Sequence, residues 1–249
     1  MRIKKTLAGA ALATLALTAL AACGSDDDGS NEPSGDSTPE AADIRVWLNG
    51  ADTPLAATLT EAFDLPVVVA NDANTAVLGE HTFGQTGDGG LMVLRIGIGV
   101  GAGLVLEGSL LHGHLGAAGE IGHVVVDPDG ERCACSRTGC LETVLAAPRL
   151  RRAVAQPGVD APAVLADVGR QLGEVLAPIV AALNLHEIVL SGPAELLDGP
   201  LLDAADRTIR ERTMPISSTG LAVRTSKLGE DVVVVGAAVL VLAGELGVS

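Results

Sequence analysis

The apolar positions of the chain change repeatedly between helical spacing and short continuous runs. Leu55, Leu59 and Phe63 recur at i, i+4, which predicts a helix over 54–63 with Thr53 as its N-cap. A continuous apolar run at 67–70 is typical of a strand buried on both faces, and the largely apolar segment 91–96 predicts a second buried strand. The same reasoning predicts helices over 75–80, 141–154, 161–185, 196–212 and 232–246, and strands over 187–190 and 221–225. This alternation favours an α/β fold with a parallel or mixed sheet.

The first 42 residues follow a different pattern. Three basic residues within the first five precede an uncharged run over 6–22 that is rich in Ala and Leu, as in a secretory signal. The run ends in Leu-Ala-Ala-Cys-Gly, which resembles a bacterial lipobox and predicts a lipid anchor at Cys23. The next residues are mostly Ser, Asp, Gly, Pro and Glu, a composition typical of a disordered tether. We predict a lipoprotein-type signal at 1–23, a tether at 24–42 and a folded domain at 43–249.

Composition narrows the functional classes. With 249 residues and 48% hydrophobic content, the chain can bury a sizeable core in one large or two small domains. It has one Trp, two Phe and no Tyr, so the core is aliphatic and platforms for base stacking are lacking. A formal charge of −15 disfavours a phosphate backbone as partner, and no helix-turn-helix pattern precedes residue 43. We therefore expect no nucleic-acid binding through this chain alone.

A Gly- and Asp-rich segment at 119–142 contains a dense group of side chains that can bind a metal or carry a charge. Three of the four cysteines fall within eight positions of it, in the pattern His-x9-Cys-x-Cys-x4-Cys. These are four ligands, the number that a closed tetrahedral zinc site needs. The alternative, cysteines acting as small buried hydrophobes, fits an apolar face better than such a loop. The candidate ligands are His123, Cys133, Cys135 and Cys140, bracketed by the carboxylates of Glu120 and Glu142.

Two further motifs follow predicted strands. Asn71-Asp72-Ala73-Asn74 comes directly after 67–70, and an Asp at the carboxyl end of a buried strand lies where ligand crevices open in α/β folds. The alternative is an Asx cap, and both interpretations hold if Asn74 caps the helix while Asp72 faces the crevice.

Glycines occupy alternate positions after the strand at 91–96, and the strand pattern resumes at 104–106. Glycines at this spacing allow close approach of a backbone and leave N–H groups free for phosphate oxygens. A tight hairpin explains the same pattern equally well. The glycines are Gly97, Gly99, Gly101 and Gly103.

From about residue 47 onward these motifs resemble the ROK family of sugar kinases and sugar-responsive repressors, which have the actin-like ATPase (ribonuclease H-like) fold. The resemblance rests on the motifs at 71–74 and 119–123 and on the cysteine run. It implies a hexose or N-acetylhexosamine ligand, with Asp72 as general base for phosphoryl transfer. His123 would also ligate zinc through its other ring nitrogen, and that zinc would be structural because four protein ligands leave no open position. The implied sugar-binding residues are Asn71, Asp72, Glu120, His123 and Glu142.

The resemblance also implies a nucleotide site, with ATP and magnesium as cosubstrates of the kinases. Its phosphate loop would contain Gly97, Gly99 and Gly101, and its adenosine turn Ser191 and Gly192. Three departures from the kinases weaken that site. Ile98 stands where the kinases carry a Thr, Pro193 removes a backbone donor from the turn, and no opening phosphate loop of the Asp-Gly-Gly-Thr type is found before residue 47. We therefore predict an N-terminally truncated fold, a partial first lobe plus the second lobe, with little or no kinase activity.

Two functions stay open. The favoured one is a sugar-binding protein of the transcriptional-regulator branch, with a structural zinc ion and without catalytic activity. The alternative is an ATP-dependent sugar kinase of the glucokinase or N-acetylmannosamine kinase type, with Asp72 as base. A truncated sheet exposes an edge, which favours a homo-oligomer. The signal implies a membrane-anchored protein facing the cell exterior, whereas the resemblance implies the cytoplasm.

Overall fold

The computed structural model describes residues 55–87 and 89–246. The chain divides into two units, Met1–Val69 and Ala70–Ser249. In the first unit the predicted helix is confirmed as α1, Leu55–Phe63, none of whose residues is buried. Its predicted cap, Thr53, and the predicted signal, tether and Cys23 lie outside the described residues.

The predicted strand at 67–70 is wrong. This segment forms no regular element and pairs with no strand in the described part of the chain, and Val68 is 75% exposed. A run of β-branched residues favours extended backbone, yet a strand also needs a neighbour that accepts its hydrogen bonds.

The second unit is built around a five-stranded mixed sheet with the order β3-β2-β1-β4-β5. β2 is antiparallel to both β1 and β3, whereas β4 is parallel to β1 and to β5. The mixed sheet expected from the sequence is therefore confirmed. The strands are β1 Leu91–Ile96, β2 Val100–Leu106, β3 Ser109–Leu110, β4 Glu187–Ser191 and β5 Ala222–Thr225.

Eight α-helices lie in the described part of the second unit. They are α2 Asp72–Phe83, α3 Glu142–Leu145, α4 Ala147–Val154, α5 Ala161–Leu183, α6 Ala194–Leu197, α7 Pro200–Arg212, α8 Pro215–Ser218 and α9 Val232–Leu246. Across residues 55–87 and 89–246, no helix combines the length and the apolar character needed to span a membrane.

Two of the predicted helices are each divided in two. The helix predicted at 141–154 breaks at Ala146, because Pro148 has no N–H to continue the hydrogen-bond ladder. The helix predicted at 196–212 breaks at Gly199, whose φ is 74°, and Pro200 starts the next helix at a position that favours proline.

The helices cover both faces of the sheet. α5 packs on α7, and α2 packs on α9. Alternate residues of β1 enter different cores: Met92 and Leu94 join the larger core with α5 and α7, whereas Leu91 and Val93 join a smaller core with α2 and α9. This division explains why the strand is apolar at almost every position.

A buried ionic network attaches the end of α2 to the sheet. The side chain of Glu80 is fully buried, and its Oε2 lies 3.1 Å from the Arg224 Nη2 on β5. Arg224 also pairs with Glu187 on β4, and the hydroxyl of Ser226 donates to Glu80. Because a buried carboxylate is costly without partners, this network fixes α2 against β4 and β5.

α2 and α9 touch backbone to backbone. A Cβ on Gly236 would lie 1.8 Å from the carbonyl oxygen of Thr75, and a Cβ on Gly79 would lie 2.5 Å from the carbonyl oxygen of Val232. Any side chain at these two positions would separate the helices.

We therefore expect Gly236→Ala to destabilise the protein by about 2 kcal/mol or more, because the added methyl group overpacks the crossing. The sign of this change distinguishes the packing effect from helix propensity, because Gly to Ala inside an exposed helix stabilises a protein by about 1 kcal/mol. Thermal unfolding measures the change, with Val241→Ala on the 47% exposed side of the same helix as control. An unchanged or higher melting temperature for Gly236→Ala would contradict this packing.

Candidate metal and ligand site

The segment 119–123 lies along the part of β2 that β3 leaves unpaired. The Ala102 N–H donates to the Gly119 carbonyl at 2.9 Å. A Cβ on Gly119, whose φ is 92°, would lie 1.8 Å from the Ala102 oxygen, and a Cβ on Gly122 would lie 2.1 Å from the Val100 oxygen. Only glycine permits so close an approach, so these two glycines fix the polar residues of the segment at the sheet edge.

The cysteine segment folds back on itself as a hairpin. The Cys133 N–H donates to the Arg137 carbonyl at 2.8 Å, and the Leu141 N–H donates to the Val124 carbonyl at 2.9 Å. This hairpin brings one ligand atom from each predicted metal ligand to within 4.8 Å of the others. The group that could hold a metal ion consists of His123, Cys133, Cys135 and Cys140.

The three thiols affect one another's ionisation. Burial, together with the neighbouring sulfur atoms, raises the pKa of Cys140 to about 12, and burial also raises the pKa of Cys133. A hydrogen bond from the backbone of Arg137 lowers the pKa of the exposed Cys135. The Sγ atoms of Cys135 and Cys140 are 3.6 Å apart. A bound cation would stabilise all three thiolates together, which is the chemistry of a metal site.

His123 joins this cluster to an open cleft. Its Nδ1 lies 3.5 Å from the Cys133 Sγ, whereas its Nε2 lies 3.7 Å from Oε2 of Glu120. One ring nitrogen therefore faces the ligand group and the other faces a carboxylate. The cleft has a volume of about 370 Å³ and is lined by Glu120, His123, Val124, Val125, Cys135 and Arg137.

Glu142 links the cluster to the turn between β1 and β2. It is the first residue of α3 and is half-buried. Its Oε2 accepts from the Val100 N–H at 3.0 Å, and its Oε1 lies 3.6 Å from the Cys133 Sγ. Both carboxylate oxygens thus have protein neighbours, and Glu142 is not among the residues that line the cleft.

Asn71 and Asp72 lie at the start of α2, also outside the cleft lining. The Oδ1 of Asn71 accepts from the N–H groups of Ala73 and Asn74 at 2.9 and 3.1 Å. The prediction that Asn74 caps the helix is therefore wrong, because the helix begins three residues earlier than predicted and Asn71 is its N-cap. The carboxylate of Asp72 is exposed at the first helical position.

The residues predicted to bind a nucleotide lie in the turn between β1 and β2, in β2, and at the carboxyl end of β4. Gly97 and Gly99 form the turn of a β1–β2 hairpin, in which the Gly97 N–H donates to the Gly99 carbonyl at 2.9 Å. Gly101 lies within β2. Ser191 ends β4, and a Cβ on Gly192 would lie 2.4 Å from the Ile96 oxygen, so the two strand ends are adjacent.

Sequence reasoning missed several residues of this region. Val124, Val125 and Arg137 line the cleft, and Arg95 lies at the end of β1. The sequence could have indicated Arg137, because it is a basic residue between two predicted metal ligands. It could also have indicated Arg95, because a charged residue is unusual inside an otherwise apolar strand.

The fold and site define a mixed α/β protein with a His/Cys group that could bind a metal. Comparisons with known proteins give its family. The model of the ROK family matches residues 44–243. A glucokinase from Halalkalibacterium halodurans is 35% identical over 79% of this chain and 69% of its own length. The chain belongs to the ROK family.

Similar solved structures come from both branches of that family. One is a ROK family transcriptional regulator, a homolog of the Escherichia coli MLC protein, at 30% identity and a TM-score of 0.67, covering 78% of this chain and 56% of that one. The other is a glucokinase from Streptomyces griseus in complex with glucose and AMPPNP, at 27% identity and a TM-score of 0.66, covering 75% and 72%. The chain thus spans only part of the length of its relatives.

The contact between Glu142 and the turn is testable by hydrogen exchange. Glu142→Ala should speed exchange of the Val100 amide by about tenfold or more, since it removes a hydrogen bond to a charged acceptor. Glu142→Gln keeps a carbonyl acceptor and should restore most of the protection. Two-dimensional NMR measures both, with Glu131→Ala as control because Glu131 pairs with Arg149 instead. Equal Val100 exchange in the Glu142→Ala and control variants would contradict the contact.

Proposed function

We propose that the chain is a sugar-binding protein of the transcriptional-regulator branch of the ROK family, without kinase activity. The observation that carries the proposal is the double contact of His123, which faces the cysteine cluster through Nδ1 and Glu120 through Nε2. Carboxylate and imidazole groups are the acceptors and donors that sugar hydroxyls need. Glu120 and His123 supply both in the cleft, for a hexose or N-acetylhexosamine.

Zinc is the metal proposed for the cluster. Three thiolates and one imidazole within 4.8 Å fit a closed tetrahedral zinc site, and soft sulfur ligands favour zinc over magnesium or calcium. The ligands are His123, Cys133, Cys135 and Cys140. Zinc would supply no chemistry of its own, because four protein ligands leave no open position. Its proposed role is to fix the hairpin and the His123 ring.

The remaining sugar contacts are proposed for three residues outside the cleft lining. Asn71, Asp72 and Glu142 are proposed to bind sugar hydroxyls, as the resemblance implies. The exposure of the Asp72 carboxylate supports this role, whereas the two contacts of Glu142 support a second role in holding the turn. The sugar would therefore lie between the start of α2 and the cluster.

Two residues favour the regulator branch. Ile98 is 57% exposed at the turn between β1 and β2, where its side chain offers a phosphate no donor. Pro193 offers no N–H after the β4 strand. Phosphoryl transfer depends on donors aimed at the transferred group, so both residues weaken it.

A kinase remains the second candidate, and the exposed Asp72 at the helix start favours it, because a general base must reach the substrate hydroxyl. In that case Gly97, Gly99, Gly101, Ser191 and Gly192 would bind ATP with magnesium. A lipid anchor at Cys23, a homo-oligomeric state and the location of the protein stay predictions from the sequence.

Calorimetry on the zinc-loaded full chain tests the proposal. Glucose, N-acetylglucosamine and N-acetylmannosamine are titrated with and without magnesium-ATP, and at least one should bind in the absence of ATP. Glu120→Ala should weaken that binding by about tenfold or more, because it removes a charged acceptor. Glu131→Ala is the matched control, since the two side chains are 57% and 63% exposed and only Glu120 lines the cleft.

Two outcomes would contradict the proposal of a sugar-binding regulator without kinase activity. Saturable, ATP-dependent phosphorylation in a coupled assay would establish the kinase. Absence of binding for all three sugars, with zinc present at one per chain, would remove the sugar-binding proposal altogether.

A further inference from the structure

The three cysteines of the cluster differ in their exposure to solvent. Cys140 is fully buried and Cys133 is 5% exposed, whereas Cys135 is exposed. Cys135 is also the cysteine that lines the cleft of about 370 Å³. Because the oxidation of a thiol requires access, a small oxidant in solvent reaches the sulfur of Cys135 before those of the other two.

Backbone hydrogen bonds place Cys135 in a turn at the tip of the hairpin and Cys140 at its base. The Ser136 N–H donates to the Cys133 carbonyl at 3.0 Å and closes the turn that contains Cys135. Cys140 instead pairs with Val125 in an antiparallel bridge, which fixes its backbone. One thiol thus lies on an exposed turn, and the other lies on paired, buried backbone.

The sulfur atoms of Cys135 and Cys140 are close enough to react after a small movement. Their Sγ atoms are 3.6 Å apart, whereas a disulfide bond is about 2.05 Å long. The exposed side chain of Cys135 can close this gap by rotation, since its movement leaves no cavity in the core. Cys133 has other neighbours, because its Sγ lies 3.5 Å from the His123 Nδ1 and 3.6 Å from the Glu142 Oε1. The geometry therefore favours a bond between Cys135 and Cys140.

We propose that Cys135 is a site of oxidative modification and that it forms a reversible disulfide with Cys140, which releases the bound metal. The oxidant is hydrogen peroxide. The Cys135 sulfur attacks one peroxide oxygen, the O–O bond breaks, and the leaving hydroxide takes the thiol proton to form water. The Cys140 sulfur then attacks the sulfenic acid at Cys135, an S–S bond replaces the S–O bond, and the hydroxyl group leaves as a second water. Two thiols and one peroxide thus give one disulfide and two water molecules.

The disulfide would leave the metal with two of its four protein ligands, His123 and Cys133. Two ligands do not complete a closed tetrahedral site, so the metal would dissociate and the His123 ring would lose its support. The effect on sugar binding rests on the proposed function, whereas the disulfide and the loss of metal do not. The two locations left open by the sequence also differ here, because thiols stay reduced in the cytoplasm and disulfides persist outside the cell.

Peptide mapping of the full chain tests the proposal. A Cys23→Ser background leaves only the three cysteines of the cluster. The metal is removed with a chelator under reducing conditions, the reductant is removed, and hydrogen peroxide is added. Free thiols should fall from three to one per chain. Trypsin releases 133–137 as one peptide with two cysteines, and the next peptide contains Cys140. The two peptides should be joined after oxidation and should separate on reduction with a dithiol.

Matched variants identify the reacting pair. Cys135→Ser should prevent the two peptides from joining, whereas Cys133→Ser removes another thiol of the cluster and should leave the joined peptides at the wild-type yield. Circular dichroism identifies a variant that does not fold, and fragmentation of the joined wild-type peptides then locates the bond without it. For the metal, the reduced wild-type protein should bind one zinc per chain, lose it on oxidation and regain it after reduction.

Three results would overturn the disulfide: a bond within the peptide 133–137, joined peptides at the wild-type yield in Cys135→Ser, or further oxidation of Cys135 to the sulfinic acid with no disulfide. Zinc retained beside the disulfide, or no zinc bound by the reduced protein, would overturn the release of metal. No sugar is present in these measurements, so their failure is distinguishable from a failure of the proposed function.

Discussion

The contact between the segment 119–123 and the unpaired edge of β2 is the constraint on which the site depends. Gly119 and Gly122 bring their backbone directly against Ala102 and Val100, and no other residue leaves room for this approach. The contact covers an edge that β3 leaves open, so it also protects the sheet. Because the segment that carries the polar side chains is held against a strand of the sheet, the backbone positions of Glu120 and His123 in the cleft are fixed.

Glu142 extends this constraint to the rest of the site. One oxygen of its carboxylate holds the Val100 N–H beside the β1–β2 turn, and the other lies next to Cys133. The metal-ligand group, the turn and the edge of β2 are therefore parts of one connected arrangement. Arg95 lies two residues before that turn, on the face of the sheet that α2 and α9 cover.

The sequence predicted the features that depend on local pattern. β1 and α9 have the predicted bounds, since the apolar run of β1 is buried by its neighbours in the sheet and by the packed helices, and the continuous apolar run of α9 packs with one side on α2. The metal-ligand group is also found as predicted, because its members are close in the chain. The strand predicted at 67–70 failed because pairing needs a partner that local pattern does not reveal. Arg95 and Arg137 were missed for a similar reason, as their importance comes from neighbours that are distant in sequence.

The central claim is that a metal bound to the cysteine cluster holds His123 in position for a sugar. Calorimetric titration of the sugar before and after removal of the metal with a chelator tests it most directly, with metal content and far-UV circular dichroism measured on both samples. We predict that the metal-free protein keeps its helical signal and loses measurable sugar binding, and that added zinc restores it. Unchanged sugar affinity in protein shown to be free of metal would contradict the account.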